Sequence, residues 1–278
     1  LSGKERSARS AALGLASTRA SGLKSQFGTM GKPYNAGIAA ANAIEACGLA
    51  RRGFTSAVDG LGGPQGFVPA HHPQHDSSEA ILPDGSETSF MFADVRHKLH
   101  ACCHGAHAMI EGLRNLVAAH DITAQNLAAL SIRVNPRWLK VCDIKAPRTG
   151  LEVKFSYVFL AAMVLHHIDT AAYQSYDDSI CGNAGLIATA SKITVIGDEA
   201  ISDGAVNVSA DTQTGVRHTT DFDLMDPIDL SVLGPRLVAK ASVLIGPARA
   251  EKIWESMDDL DSMPAAQMAR CLQPLQNA

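Results

Sequence analysis

Two stretches near the start of the chain carry the hydrophobic pattern of α-helices. Residues 7–20 and 36–50 are rich in alanine and contain few β-branched residues, a composition that favours helix. We expect Asn35 to cap the start of the second helix and Gly53 to follow its end. Glycine and proline interrupt residues 21–34, so this segment is predicted to be a loop or a tight reversal.

The pattern then becomes irregular for about thirty residues. We expect a short helix that is capped by Thr55 or Ser56 and ends at Gly60. Residues 61–84 contain many turn-forming residues and no period, which predicts a surface loop. The histidine-rich stretch at residues 71–75 lies in this loop. It is typical of polar surface and is a weaker candidate for a ligand site.

The middle of the chain alternates between segments with the hydrophobic period of a helix and segments with that of a strand. An apolar stripe predicts a helix over residues 104–120, and the apolar positions Leu130, Ile132 and Val134 predict a half-buried strand. A second helix is predicted over residues 155–167. Further strands are expected at 193–196, 206–209 and 216–220, the last two joined as a hairpin, and further helices at 230–244, 247–257 and 264–272.

Composition and charge narrow the class of protein. The 278 residues are 46% hydrophobic and carry 24 basic and 28 acidic side chains, a formal charge of −4. A globular fold is therefore expected, and a general binder of nucleic acid or of membrane surfaces is not. No apolar run reaches the roughly 20 residues of a membrane span.

The cysteine pattern and the first residue bear on where the protein resides and on what precedes the chain. The six cysteines form no C-x-x-C pair, which indicates reduced thiols in a cytoplasmic protein. The chain begins with Leu1 instead of methionine and has no signal-peptide pattern. We therefore expect it to be a fragment that lacks an upstream portion.

Residues 96–107 (RHKLHACCHGAH) form the densest chemical cluster. One interpretation is a solvated loop that leads into a helix. A second is a metal site, although the ligand spacing is poor; its candidate ligands are His100, Cys102, Cys103, His104 and His107. The third is an anion site, in which Lys98 and His107 bind a carboxylate and move protons at the start of a helix.

Residues 27–33 (FGTMGKP) form a second candidate site. Its glycines allow close backbone approach to a ligand, and Lys32 precedes a proline that stiffens the turn. An ordinary turn with an exposed lysine is the alternative. Cysteine nucleophiles at Cys102 or Cys103 are not favoured, because no Asp or Asn is organised beside a histidine. The glycine-rich residues 60–66 lack the flanking strand and helix of a phosphate loop.

Together these segments resemble the MmgE/PrpD family, which includes 2-methylcitrate dehydratase, cis-aconitate decarboxylase and iminodisuccinate epimerase. Residues 27–33 resemble the family motif F-G-T-M-x-K-P, and residues 98–107 (KLHACCHGAH) resemble K-x-Y-x-x-C-x-x-x-H. The similarity also covers residues 53–67, 154–163 (KFSYVFLAAM) and 245–253 (IGPARAEKI). These motifs are specific for the family and do not select one of its reactions.

The resemblance implies an α plus α/β fold. In the family, a smaller α/β lid domain is inserted into an all-helical domain. Here residues 1–92 are expected to be a helical segment, residues 93–244 the lid, and residues 245–278 helices that return to the helical domain. Members of the family also begin well upstream of residue 1, which implies that part of the helical domain is absent.

The resemblance also implies roles for individual residues. Lys98, His107 and Lys32 are the expected catalytic residues. Lys32 and Lys98 are also expected to bind substrate, with Cys103 at a position where some members have histidine. The family's active-site tyrosine aligns with a phenylalanine here, and Tyr157, two residues earlier, is the candidate tyrosine.

The reaction expected from the resemblance is that of a cofactor-independent lyase of the 2-methylcitrate dehydratase type. It would act on a small di- or tricarboxylate by general acid–base abstraction of a proton next to a carboxylate, with no organic cofactor and no metal. An epimerase or a decarboxylase is the alternative within the family. Another is a catalytically incomplete fragment that only binds carboxylates or pairs with another subunit. The resemblance suggests a homodimer, without nucleic acid or membrane partners.

Overall fold

The computed structural model describes residues 3–26, 29–72 and 95–273. The chain divides into two compact units, Leu1–Val95 and Arg96–Ala278, which we call unit 1 and unit 2. The boundary expected between residues 92 and 93 lies outside the described residues. That boundary and the one expected after residue 244 stay predictions.

Unit 1 is helical. Helix α1 spans Gly3–Ser17 and helix α2 spans Gly31–Arg51, and the two pack on each other. A turn of 3-10 helix at Lys24–Gln26 lies between them, and the short helix α3 spans Phe67–His71. The two long helices that the alanine-rich pattern predicts are therefore confirmed.

Helix α2 begins earlier than the sequence suggests. Gly31 is its first residue, so Lys32 and Pro33 lie in its first turn and Asn35 lies inside it. The prediction that Asn35 is the N-cap is therefore wrong, and the predicted loop ends before Gly31. The physical reason is that first-turn N–H groups have no intrahelical partner, so proline is tolerated there. The predicted stop is confirmed: Gly53 follows the helix with a φ of 88°.

The short helix predicted between residues 55 and 60 is wrong, because this segment forms turns. Contacts with α1 replace local helix formation. The Ser10 hydroxyl donates to the Val58 carbonyl at 3.1 Å. A Cβ on Gly60 would lie 2.9 Å from the Cα of Gly14, so the chain here is placed against α1.

The predicted loop over residues 61–84 is interrupted by α3. Its start is fixed by two backbone bonds, from the Phe67 N–H to the Gly60 carbonyl and from the next N–H to the Leu61 carbonyl. At its end, the His71 ring lies 4.3 Å from the Phe67 ring and its Nδ1 is 2.8 Å from the Phe67 carbonyl oxygen. The remaining predicted histidine, His75, lies outside the described residues.

Unit 2 contains a four-stranded mixed sheet. Its strands are β1 (Leu127–Val134), β2 (Ile193–Gly197), β3 (Ala205–Thr212) and β4 (Arg217–Asp223), in the order β2-β1-β3-β4. β1 runs parallel to β2 and antiparallel to β3, and β3 and β4 form the expected hairpin. The strands predicted from period-2 alternation are confirmed.

Two helices cover this sheet and supply most of the core. Helix α4 (His107–His120) packs on β3 and β4, and helix α7 (Tyr157–Leu165) packs on α4 and is buried throughout. At Gly112 an added Cβ would lie 3.2 Å from both Phe222 and Val206. The helix therefore approaches the sheet closely at this glycine.

The remaining α-helices of unit 2 are α5 (Leu139–Cys142), α6 (Gly150–Val153), α8 (Ala184–Ala190), α9 (Leu230–Ile245), α10 (Pro247–Glu255) and α11 (Ala265–Leu272). Turns of 3-10 helix lie at His104–Ala106, Pro136–Trp138, Tyr173–Tyr176 and Asp178–Gly182. In the described residues the chain thus combines helices with one small mixed sheet, and the predicted α plus α/β fold class is confirmed.

Within the described ranges, no helix combines the length and the apolar composition that a membrane span needs.

Candidate functional site

The 98–107 segment leads from an exposed lysine into the core of unit 2. Lys98 is exposed, whereas His100 and Cys103 are buried. The 3-10 turn His104–Ala106 then brings the chain to α4, whose first residue is His107. The sequence thus places one cation and several imidazoles at the start of one helix.

His107 is a buried, neutral imidazole. It is 1% exposed, and its ring centroid lies 5.1 Å from that of His100 and 5.5 Å from that of His104. Burial first, and then the neighbouring imidazoles of His100 and His104 and the ammonium groups of Lys98 and Lys240, lowers the pKa of His107 to about 2. Its Nε2 has no hydrogen-bond partner among the described residues. A buried polar nitrogen without a partner is costly, so this atom is suited to meet a ligand.

Three lysines from different elements surround this segment, and we call Lys98, Lys154 and Lys240 the lysine cluster. Lys154 follows α6, and Lys240 lies on α9 and donates from its Nζ to the Lys98 carbonyl. Burial is the largest cause that lowers the pKa of both Lys154 and Lys240; the charge of Lys98 lowers each pKa further, and Cys102 acts in the opposite direction.

The lysine cluster has no acidic partner in the part of unit 2 that the structure describes: none of its ammonium groups lies within ion-pair distance of a carboxylate there. Neighbouring positive charges repel each other, and a bound anion would relieve that repulsion. The expected pair of Lys98 and His107 is therefore brought together, in company with two lysines that the sequence did not single out.

The two adjacent cysteines are buried beside the lysine cluster. Burial raises the pKa of the Cys102 thiol to about 12, although the charge of Lys98 opposes this. Cys102 is therefore protonated at neutral pH and is a poor nucleophile. Cys103 is 7% exposed, and its N–H donates to the Lys154 carbonyl at 3.0 Å. The substrate-binding role expected for Cys103 stays a prediction.

Tyr157 lies at the start of α7 and is fully buried. Its hydroxyl donates to the Gly105 carbonyl at 2.7 Å, and burial raises its pKa above the ordinary range. This bond joins α7 to the turn before His107. Tyr157 thus has a structural contact within unit 2, and its expected substrate contact stays a prediction.

Lys32 belongs to unit 1, where it is half-buried in the first turn of α2. The catalytic and substrate-binding roles expected for Lys32 stay predictions.

A buried network of polar side chains holds His100 next to the candidate site. His100 Nε2 lies 2.9 Å from Glu111 Oε1, and the Thr170 hydroxyl lies 2.7 Å from His100 Nδ1. Burial lowers the pKa of His100, with the hydrogen bond to Glu111 opposing, so the ring is neutral. We therefore assign the proton to Nε2, which donates to Glu111, and Nδ1 accepts from Thr170.

The network continues from α4 to α9. Arg236 Nη2 lies 2.7 and 2.6 Å from the two oxygens of Glu111. Burial alone would raise the pKa of Glu111, but the hydrogen bonds from His100 and Arg236 lower it to about 2. Arg236 and Lys240 are one helical turn apart on α9 and share a face, so this ion pair holds Lys240 near Lys98.

Sequence reasoning missed Glu111, Thr170, Arg236, Lys154 and Lys240. Glu111 lies on the side of α4 away from the apolar stripe, so the periodic pattern did not indicate that this carboxylate is buried. The other four residues lie far from α4 in sequence and carry no signal of their own.

Metal ligation is the remaining interpretation of the 98–107 segment. Over residues 3–26, 29–72 and 95–273, side chains of His, Cys, Asp and Glu do not gather in groups of three or more that could hold a metal ion. His100, one of the expected ligands, instead uses both ring nitrogens within the polar network.

Comparison with known proteins gives one family match, which covers part of the chain. A search of curated proteins finds no match to this chain. Residues 100–224 match the MmgE/PrpD C-terminal domain, a range that begins at His100 and ends just after β4. The matched range includes His100, His107, Lys154 and the whole sheet, whereas Lys98, Arg236 and Lys240 lie outside it. The resemblance to the MmgE/PrpD family is therefore confirmed over residues 100–224.

Proposed function

We propose that this protein is a cofactor-independent lyase of the 2-methylcitrate dehydratase type that acts on a small di- or tricarboxylate. The observation that carries the proposal is the lysine cluster beside the unpartnered Nε2 of His107. A site with several cations and a neutral base suits a polyanion that must lose a proton.

The chemistry follows from where charge develops. Removing a proton from carbon next to a carboxylate builds negative charge on a group that is already anionic. Lys98 would bind a carboxylate and stabilise that charge. The proton passes to His107, and the departing hydroxyl group takes a proton from an acid and leaves as water.

Substrate binding would also change His107. Its pKa is low because the ring is buried and faces cations. A polyanion that neutralises those cations adds negative charge near the ring and raises the pKa of His107. The base would therefore gain strength only when substrate is present.

Epimerisation and decarboxylation are the alternatives, because both use the same charge stabilisation next to a carboxylate. A chain that binds carboxylates without turnover, or that completes its site with another subunit, is a further alternative. We also propose a homodimer, on the basis of the family resemblance, and a cytoplasmic location, on the basis of the cysteine pattern.

The test measures binding and turnover separately. Citrate, 2-methylcitrate and cis-aconitate are offered to the purified chain; binding is followed by calorimetry and products by NMR. Lys98→Ala should weaken binding by roughly 10- to 100-fold, whereas Lys252→Ala, an exposed lysine on α10, should leave it unchanged. Absence of binding to all three compounds would refute the proposal, and the product formed identifies the reaction.

A further inference from the structure

Lys154 occupies an unusual setting within the lysine cluster. Its Nζ lies 4.4 Å from the centroid of the Tyr173 ring and 4.9 Å from that of Tyr176. Aromatic faces attract an ammonium group but do not accept all of its hydrogen bonds. The two tyrosines, which we call the tyrosine clamp, therefore orient the cation and leave its N–H donors for another acceptor.

The clamp is built into the fold. Tyr176 is buried, and its hydroxyl donates to the Thr170 carbonyl at 2.9 Å. A Cβ on Gly150 would lie only 1.6 Å from the Tyr176 carbonyl oxygen, so this glycine allows the tyrosine segment to approach α6. Lys154 follows the same helix, and the clamp and the lysine are thus fixed by one piece of local structure.

The backbone of Lys154 is tied to the candidate site. Its carbonyl accepts from the Cys103 N–H at 3.0 Å. Burial is the main cause that lowers the pKa of its ammonium group; Cys102 opposes this, and the charge of Lys98 lowers the pKa by a smaller amount. Holding two ammonium groups together is unfavourable unless an anion joins them.

We propose that Lys154, oriented by Tyr173 and Tyr176, is a substrate-binding residue that receives an additional carboxylate of the polyanion bound at Lys98. This inference rests on the proposed function and deepens it. Lys154 would then determine selectivity. Its removal should weaken the binding of a tricarboxylate more than the binding of a dicarboxylate, because only a tricarboxylate has a third carboxylate that can reach Lys154.

The experiment compares citrate with succinate by calorimetry at one fixed ionic strength. Lys154→Met should raise the Kd for citrate by roughly 10- to 100-fold and the Kd for succinate by much less. Tyr173→Ala should also raise the Kd for citrate more than the Kd for succinate. Tyr173→Phe, which keeps the aromatic ring face, should bind citrate with the affinity of the wild type. Lys252→Met is the matched control for loss of one exposed positive charge.

The outcomes separate this inference from the proposed function. If the wild-type chain binds neither compound, the proposed function and this inference are both wrong. If it binds citrate and the Lys154 and Tyr173 variants bind citrate equally well, only this inference is wrong. An equal loss for citrate and succinate would also overturn it. Tyr173 is 66% exposed, so its variants should fold and decide the matter even if Lys154→Met does not.

Discussion

The ion pair of Glu111 and Arg236 ties α9 to α4, and Glu111→Gln tests what that pair contributes. The amide has nearly the size of the carboxylate, and its oxygen still accepts a hydrogen bond from His100. The substitution therefore removes chiefly the negative charge opposite Arg236. We expect it to destabilise unit 2 and to loosen the position of Lys240.

The magnitude follows from the pKa and the exposure of the pair. Against the effect of burial, hydrogen bonds from His100 and Arg236 lower the pKa of Glu111 from 4.5 to about 2, which corresponds to about 3 kcal/mol in favour of the ionised folded state. The Arg236 side chain is 34% exposed, so water still solvates part of a stranded guanidinium. We therefore expect Glu111→Gln to lower the free energy of unfolding by about 2 kcal/mol.

The assay uses the position of the tryptophans. The chain has two, Trp138 and Trp254, and both lie in unit 2, so tryptophan fluorescence during urea unfolding reports on that unit. Four proteins are compared: wild type, Glu111→Gln, Arg236→Met and the double variant. A double-mutant cycle should give a coupling energy of about 2 kcal/mol, because each single variant already breaks the pair.

A control pair sets the scale. Arg137 and Asp203 form an ion pair whose side chains are 60% and 52% exposed, so the same cycle there should give a coupling of less than about 1 kcal/mol. If the Glu111–Arg236 coupling were as small as about 0.5 kcal/mol, the pair would not hold α9 in place, and the argument for the position of Lys240 would fail.

Three further predictions concern the surroundings of the site. His107 has an ordinary pKa of 6.5 when unfolded and about 2 when folded, so the unfolded state binds more protons between these values. Stability should therefore fall as pH drops below 6.5, with a contribution from His107 that approaches about 1.4 kcal/mol per pH unit; urea titrations from pH 7 to 5 should show, in His107→Gln, a slope that is smaller by about 1 kcal/mol per pH unit on average. Gly150→Ala should cost about 3 kcal/mol, because its Cβ would meet the Tyr176 backbone, whereas Gly182→Ala, with no atom within 4 Å of its Cβ, should cost far less by the same fluorescence assay; equal costs would contradict the steric argument. Tyr157→Phe should lower stability by about 1–2 kcal/mol, since it leaves the buried Gly105 carbonyl without its donor, and an unchanged urea midpoint would show that this bond contributes little.

Local periodicity was enough to predict most of the elements. The apolar stripe gave α4, and the alternation of Leu130, Ile132 and Val134 gave β1, because each pattern is set by one face meeting the core. The start of α2 was wrong because Pro33 was taken as a break, although proline fits a first turn. The turns near residue 60 were wrong because contacts with α1 decided their shape.

Some residues of the candidate site could also be predicted from the sequence, and others could not. Lys98 and His107 could be found because they lie in one dense segment of sequence. Lys154 and Lys240 could not, because only folding brings α6 and α9 to that segment. Arg236 was also missed: its partner Glu111 is 125 residues away, and an arginine on an amphipathic helix is ordinarily solvent-facing.

Arg236 and Lys240 share one face of α9, and this arrangement has a thermodynamic consequence. An anion that binds Lys240 also stabilises the ion pair of Arg236 with Glu111. By reciprocity, the ion pair raises the affinity of Lys240 for that anion. Amide hydrogens of α9 should then exchange more slowly with solvent deuterium when citrate is bound. Deuterium exchange in α9, which the Glu111–Arg236 ion pair joins to α4, would in this way report whether the lysine cluster holds an anion.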